Sequence, residues 1–329
     1  MAIESTDLVL YKSVTVNDTV SNGGRQSYTA VVSNVAVNLF PIVTQAQRTA
    51  GITRYRKVFS KLDDDGNEVL YNHKIFVKKQ TPADDYIQIK VGTNIDTQAE
   101  ADDYTGWLGC GRLNTLVSAD ATSIEVLFEG ESGISTGDTG WLSDSTNEEF
   151  VTVTNVSWVA STATITLSAG LTYGYAAYSA LDPVYFAGYI DLSDTTSSPD
   201  TFVVAVGSGT FDDSKINTYN QGTIEDDWTI EIESGDSTYK CTGTFSGEIA
   251  TGQAKASEFK PSNPNVSGAQ GYYFRIQAGA FGGTWAEGNQ LTFSTHHASK
   301  GVWIKEIVPA LTASYSNNNP ELRISGESA

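Results

Sequence analysis

The sequence predicts an all-β protein with a minor helix, a multi-module β-sandwich or barrel that carries an inserted small β domain. Three observations predict it. Thr, Ser, Gly, Asn and Tyr fill much of what the 40% apolar fraction leaves, and they favour strands and turns. Short alternating apolar runs recur between Gly-, Asn- and Asp-rich turns. Only one stretch reads as a helix.

In chain order, Asp7 to Val20 alternates partially and ends at Ser21-Asn22-Gly23-Gly24, a strand and then a turn. Tyr28 to Phe40 reads as a second strand. Pro41 to Gly51 is the helix: Pro suits a first turn, Gln and Ala favour helix, and Gly51 suits a stop. Thr53 to Leu62 and Glu68 to Lys79 flank Asp63-Asp64-Asp65-Gly66-Asn67, and Asp-Gly between β-rich runs predicts a hairpin. A calcium loop is excluded there, because the sixth and twelfth positions from Asp63 are Glu68 and Lys74 instead of Gly and Glu.

Residues 116–185 read as a small inserted β domain, and 1–115 with 186–329 as the main β-rich assembly domain. Within the insertion, Ser123 to Phe128, Glu149 to Trp158 and Thr162 to Leu167 are strands, separated by turns such as Gly130 to Gly140. Its flanks, around Cys110 and from Asp182 to Leu192, are strand-like too. Further on, Thr201 to Val206 reads as a buried strand. Asp227 to Glu233 and Ser237 to Phe245 form a hairpin about Ser234-Gly235-Asp236. Gly271 to Ala278, Asn289 to Thr295, Gly301 to Val308 and Leu322 to Ser325 complete the strands.

The formal charge of -19 is unevenly placed. Residues 1–100 hold 11 bases and 11 acids, 101–250 hold 3 and 23, and 251–329 hold 6 and 5. The balanced ends suit contact with neighbours, and the acidic middle, insertion included, suits solvent or a lumen. This balance argues against a nucleic-acid surface, which needs clustered Lys and Arg. No apolar stretch reaches the roughly 18 residues of a membrane-spanning helix. The amino terminus lacks a basic segment followed by an apolar one, so the expectation is a product made in the cytoplasm without a secretory signal.

The motifs point away from catalysis, and no catalytic, cofactor or metal residue is expected. Cys110 and Cys241 are too few for a zinc site and are expected as buried thiols, with a single bridge between them left open. A serine triad would have to draw on His73, His296 or His297, and no Gly-x-Ser-x-Gly elbow is present. His296 and His297 are neighbours on a strand, so they point to opposite faces and cannot chelate one metal. Asp138-Thr139-Gly140 matches a short aspartic-protease signature but lacks a second copy and the apolar strand before it. The 39 acids nominate no glycosidase pair. Asn265-Val266-Ser267 fits a glycosylation site that stays silent without secretion. Aromatic residues leave room for a carbohydrate-binding face, for which Trp141, Trp158 and Tyr173 are the first residues to consider.

Two end segments carry a resemblance. TDLVLYKSVTVNDTVSNGGR, LFPIVTQAQRTAGITRYRKVFSK and TPADDYI form the first, and NQLTFSTHHASKGVWIKEIVPALTASYSNNNPELRISGES the second. Together they resemble virion structural proteins of tailed bacteriophages. The resemblance implies a non-enzymatic subunit of the virion, in the tail or baseplate, that acts as a homo-oligomer through contacts with its own copies and neighbouring virion proteins. The alternatives are a carbohydrate- or host-receptor-binding module on the virion that touches host glycans, and a neck or head-decoration protein; either would be made in the host cytoplasm. Residues 1–60 and 290–329 are expected to supply most contacts, with exposed strand edges available for completion by neighbours.

Overall fold

The computed structural model describes residues 2–35, 37–130, 132–316 and 318–328. Met1, Ala36 of the expected Tyr28 to Phe40 strand, Glu131 of the Gly130 to Gly140 turn, Asn317 and Ala329 lie outside the described residues. Strand makes up 48% of the chain and helix 5%, so the protein is all-β.

The first strands are β1 (Leu8–Thr15) and β2 (Gly23–Ala30), followed by helix α1 (Gln45–Ala50) and strands β3 (Ile52–Leu62), β4 (Leu70–Lys79) and β5 (Tyr86–Val91). A four-residue helix, α2 (Gln98–Ala101), leads to β6 (Cys110–Leu113) and β7 (Ser123–Phe128). Then come β8 (Thr139–Ser143), β9 (Glu148–Val159), β10 (Thr162–Leu167), β11 (Tyr185–Thr195) and β12 (Ser198–Val206). The chain finishes with β13 (Asp226–Ile232), β14 (Thr238–Gly243), β15 (Gly247–Ala254), β16 (Gln290–His296), β17 (Ser299–Val308) and β18 (Glu321–Glu327).

Three assemblies result. The first is an antiparallel sheet in the order β2-β1-β3-β17-β5, which joins the two ends of the chain. The second is a barrel: β6, β7, β10, β9, β8 and β11 pair in sequence, and β11 pairs back onto β6. Closure removes the barrel's free edges. The third is the sheet β12-β16-β13-β14-β15. Residues 116–185 supply four of the six barrel strands, and β6 and β11 flank them.

Strand β11 serves two structures. Tyr185 to Ala187 pair with both β6 and β8, which closes the barrel, while Tyr189 to Thr195 pair with β4. On β10, Ala163, Ile165 and Leu167 alternate inward, as do Ile124, Val126 and Phe128 on β7. Each such side chain stabilises the fold by about 1.5–3 kcal/mol if fully buried, Ala less. Gly140 sits at the closing seam, where a Cβ would collide with the Phe186 ring, so the β8–β11 approach requires glycine. One apolar core runs through the barrel into Val58 of β3, Ile75 of β4, Ile89 of β5, and Val302 and Ile304 of β17. A separate core, around Trp228, Tyr239, Phe274 and Phe293, belongs to the third assembly.

Several expectations need correction. The runs 53–62 and 68–79 are strands but do not form a hairpin. Both sides of β3 are taken by β1 and β17, so β4 joins β11 and β18 instead. The Asp-Gly turn still forms, with the Asp64 carboxylate accepting from the Gly66 and Glu68 amides. The second strand lies at Gly23–Ala30 and not at 28–40, because Asn34 and Val37 have positive φ and leave the sheet. The helix begins later than Pro41: Thr44 caps it in a reciprocal box with Gln47, and Gly51 at φ 78 ends it. Strand β12 is a largely exposed edge, not a buried strand. In the run 271–278 only Arg275–Ile276 is strand. The hairpin about Ser234-Gly235-Asp236 is present as β13 and β14.

Candidate functional site

The site that the fold builds is a surface, and it rests on β3. This strand carries Arg54, Arg56, Lys57 and Lys61, all buried. Buried cations are uncommon and need partners. Arg54 pairs with Glu306 at 2.5 Å and donates to the Pro41 carbonyl at 2.8 Å. Burial pushes the Glu306 carboxyl above its ordinary range, against the pull of Arg54. Arg56 pairs with Asp18 at 2.7 Å and donates to the Leu39 and Asn17 carbonyls. Both guanidinium groups lie over the Phe40 ring. Lys57 meets Asp96 at 2.6 Å and donates to the Gly24 carbonyl. Lys61 meets Asp63 at 3.0 Å and donates to the Gln221 carbonyl of the third assembly.

These four cations hold the surrounding loops in place. The loop after β2 is therefore a shaped surface, held from beneath by Arg54 and Arg56. Residues 26–47 contain no charged side chain, although 18% of the chain is charged. Eight large apolar residues exposed among the described ones fall between Val14 and Ile42; the most open are Ile42 at 77%, Val20 at 62% and Val37 at 59%. Val32 and Val35 lie between them and are also exposed. Strand β2, at the sheet's edge, borders this patch. Exposed apolar residues this frequent in one stretch of chain are the kind of surface that suits contact with a partner. At the other terminus, Leu311 and Tyr315 are exposed as well.

The residues named for a glycan face do not converge. Trp141 is buried against Phe76, with its indole N–H donating to Glu148. Trp158 is partly exposed near the end of β9, packed on Phe128. Tyr173 is exposed, and its amide donates to Glu149 near the start of β9. Nine residues of strand, about 30 Å, separate Glu149 from Trp158.

The histidines lie in different surroundings. His73 is buried between the Ser60 and Thr195 hydroxyls, and burial pushes its pKa down to about 4. His296 is half-exposed beside Glu225, whereas His297 is buried. The Asp138 carboxylate accepts from the Ser135 amide and hydroxyl, a local turn. No group of three or more metal-ligating side chains occurs among the described residues.

Cys110 and Cys241 are free and buried, in separate cores, so they do not pair. Burial pushes both thiols well above the ordinary range. A thiol reagent is expected to leave both untouched in the native protein and to label both after denaturation. Rapid native labelling of either residue would contradict this burial.

What sequence reasoning missed is the set of buried cations. Only the density of basic residues in Arg-Tyr-Arg-Lys, within a strand bounded by apolar residues, could have hinted at it. No family model, curated protein or solved structure matches the chain.

Proposed function

We propose that the chain is a non-enzymatic structural subunit of a tailed-phage virion, of the tail or baseplate, that works as a homo-oligomer. The observation that carries the reading is the exposed apolar patch between Val14 and Ile42, with its charge-free segment 26–47 and its support from β3. The resemblance of the two end segments supplies the virion context. The partner at the patch is a second copy of this chain, and burial of apolar surface drives the contact. A stable interface needs about 800 Å² from each partner, and apolar area returns about 25 cal/mol per Å² before the cost of association.

Sedimentation of the purified chain tests the contact. A concentration-dependent oligomer is expected, and Val35→Asp with Ile42→Asp should shift it to monomer without lowering the melting temperature, since both side chains are exposed. A wild type that stays monomeric at high micromolar concentration, or variants that assemble as well as wild type, would overturn the self-contact. Antibody labelling of phage particles that carry the gene tests the context. Label on the tail supports it, and unlabelled particles refute it.

A further inference from the structure

Residues 198–296 form one continuous excursion from the rest of the fold. The chain leaves after β11 and returns before β17, and Ser198 pairs with His296 where the two crossings lie side by side. Every residue of the core around Trp228 falls within this stretch, and that core shares none with the core of the barrel. Hydrogen bonds hold the unit to the rest. Lys61 donates to the Gln221 carbonyl, and Asn94 donates to Glu225 Oε2 at 2.9 Å. The Asn220 amide donates to Asn67 Oδ1 at 2.8 Å, and its side chain donates to the Glu68 carbonyl at 2.7 Å. Two cores joined by two crossings and a hydrogen-bonded seam can part at the seam without either unfolding.

His297 is buried in the return crossing, its ring edge-on to Phe59 of β3. The Ser299 hydroxyl gives its only proton to Gln26 Oε1 at 2.5 Å, so it accepts from His297 Nδ1 at 2.6 Å. Nε2 is then a buried lone pair without a partner. Burial pushes the pKa of this ring down to about 4; Glu225 opposes that and Lys61 of β3 adds to it. The Glu225 oxygens are engaged by His296 Nδ1 and Asn94. Arg25 of β2 lines the same cleft, and Asp200 and Asp227 face His296. The other buried histidine, His73, has its partners Ser60 and Thr195 and its charged neighbours Lys300 and Asp191 outside the excursion. We propose that the seam is an acid-operated latch: its opening uncovers His297, which takes up a proton, so that acid releases residues 198–296 as a folded unit. The latch does not depend on the self-contact proposed above.

The sign follows from the two states. An uncovered imidazole titrates near its ordinary value of about 6.5, so the open form binds the proton first. Above that pH neither form holds it, and the closed form keeps its full advantage. Between about 6.5 and about 4 the closed-to-open ratio falls by up to about tenfold per pH unit, and below that window it levels out. Amide exchange of the full chain, read by NMR from pH 7 to 4 and corrected for the intrinsic rate at each pH, tests this. The Ser197 and Asn220 amides, held at the seam by Asn220 Oδ1 and Asn67 Oδ1, should lose protection by up to that factor. The amides of β7 and β13 should stay better protected at every pH. His297→Gln should remove the loss at the seam. Seam protection that does not change with pH, that falls in step with the cores, or that falls equally in His297→Gln would overturn the latch. Should that variant fail to fold, the ring resonances of His297 in the wild type decide: titration displaced toward pH 4 upholds the latch, and titration near 6.5 overturns it.

Discussion

Asp96→Ala is expected to destabilise the protein by about 3–5 kcal/mol, the cost of leaving a buried charge without its partner. Asp96 Oδ1 lies 2.6 Å from Lys57 Nζ, and Oδ2 accepts from the Tyr104 hydroxyl at 2.6 Å and the Trp303 indole at 2.8 Å. Removal of the carboxylate leaves Lys57, 1% exposed, with two backbone carbonyls and the Phe59 and Trp303 rings but no paired anion. The packing there allows little relaxation: Gly23, at φ 104, has no room for a Cβ, which would lie 2.6 Å from the Trp303 ring. Urea unfolding measures the loss, and a change under about 1 kcal/mol would refute the role given to this pair. Lys57→Met with Asp96→Leu should recover much of the stability, because neither charge is then buried.

The same carboxylate makes stability depend on pH. Burial is the largest single influence on Asp96 and pushes its pKa up, but the hydrogen bonds from Lys57, Tyr104 and Trp303 together hold it below the ordinary value. A depressed folded value means that the unfolded chain takes up the proton first. The contribution is therefore complete above the usual carboxylate range and is lost as pH falls through the folded value. The free energy of unfolding measured down an acid series should fall more steeply for the wild type than for Asp96→Ala.

Trp228→Ala is expected to cost about 3–5 kcal/mol and to act locally. The ring is 1% exposed, lies 4.9 Å from Phe274, and donates its indole N–H to Thr295 at 2.8 Å. Its core shares no residue with the core of the barrel. Amide exchange should therefore speed up in β13, β14 and β16 and stay unchanged in β7 and β10. A uniform acceleration across both would mean that the two cores unfold as one.

Where a strand has one buried face, its alternation was readable. Ser123–Phe128 and Thr162–Leu167 are strands over the expected residues, and the β13–β14 hairpin follows its Ser-Gly-Asp turn. Pairing between distant strands was not readable. The Asp63–Asn67 turn looks local, but β3 had already been claimed on both sides by strands from the two ends of the chain. Trp141 shows a second reason. Gly140 to Ser143 are all buried, so β8 is covered on both faces and its pattern cannot say which side an aromatic ring takes. The candidate surface was readable only as a region, since the chain end was expected to make contacts but the loop's support by buried cations left no periodic signal. The glycan residues were chosen by type alone, and the fold places one inside and the other two at opposite ends of β9.

The passage of β11 from the barrel into the sheet with β4 has a mechanical consequence. Beads on a flexible string stretch by straightening the string before any fold feels the load. Here one backbone crosses from one structure to the other, hydrogen-bonded on the way to β6, β8 and β4. Tension along β11 therefore shears interstrand hydrogen bonds at once, without slack to take up first. Resistance to such a pull is set by how fast those bonds give way under force, a kinetic property. A displacement of β4 and β18 is therefore passed along β11 into the barrel.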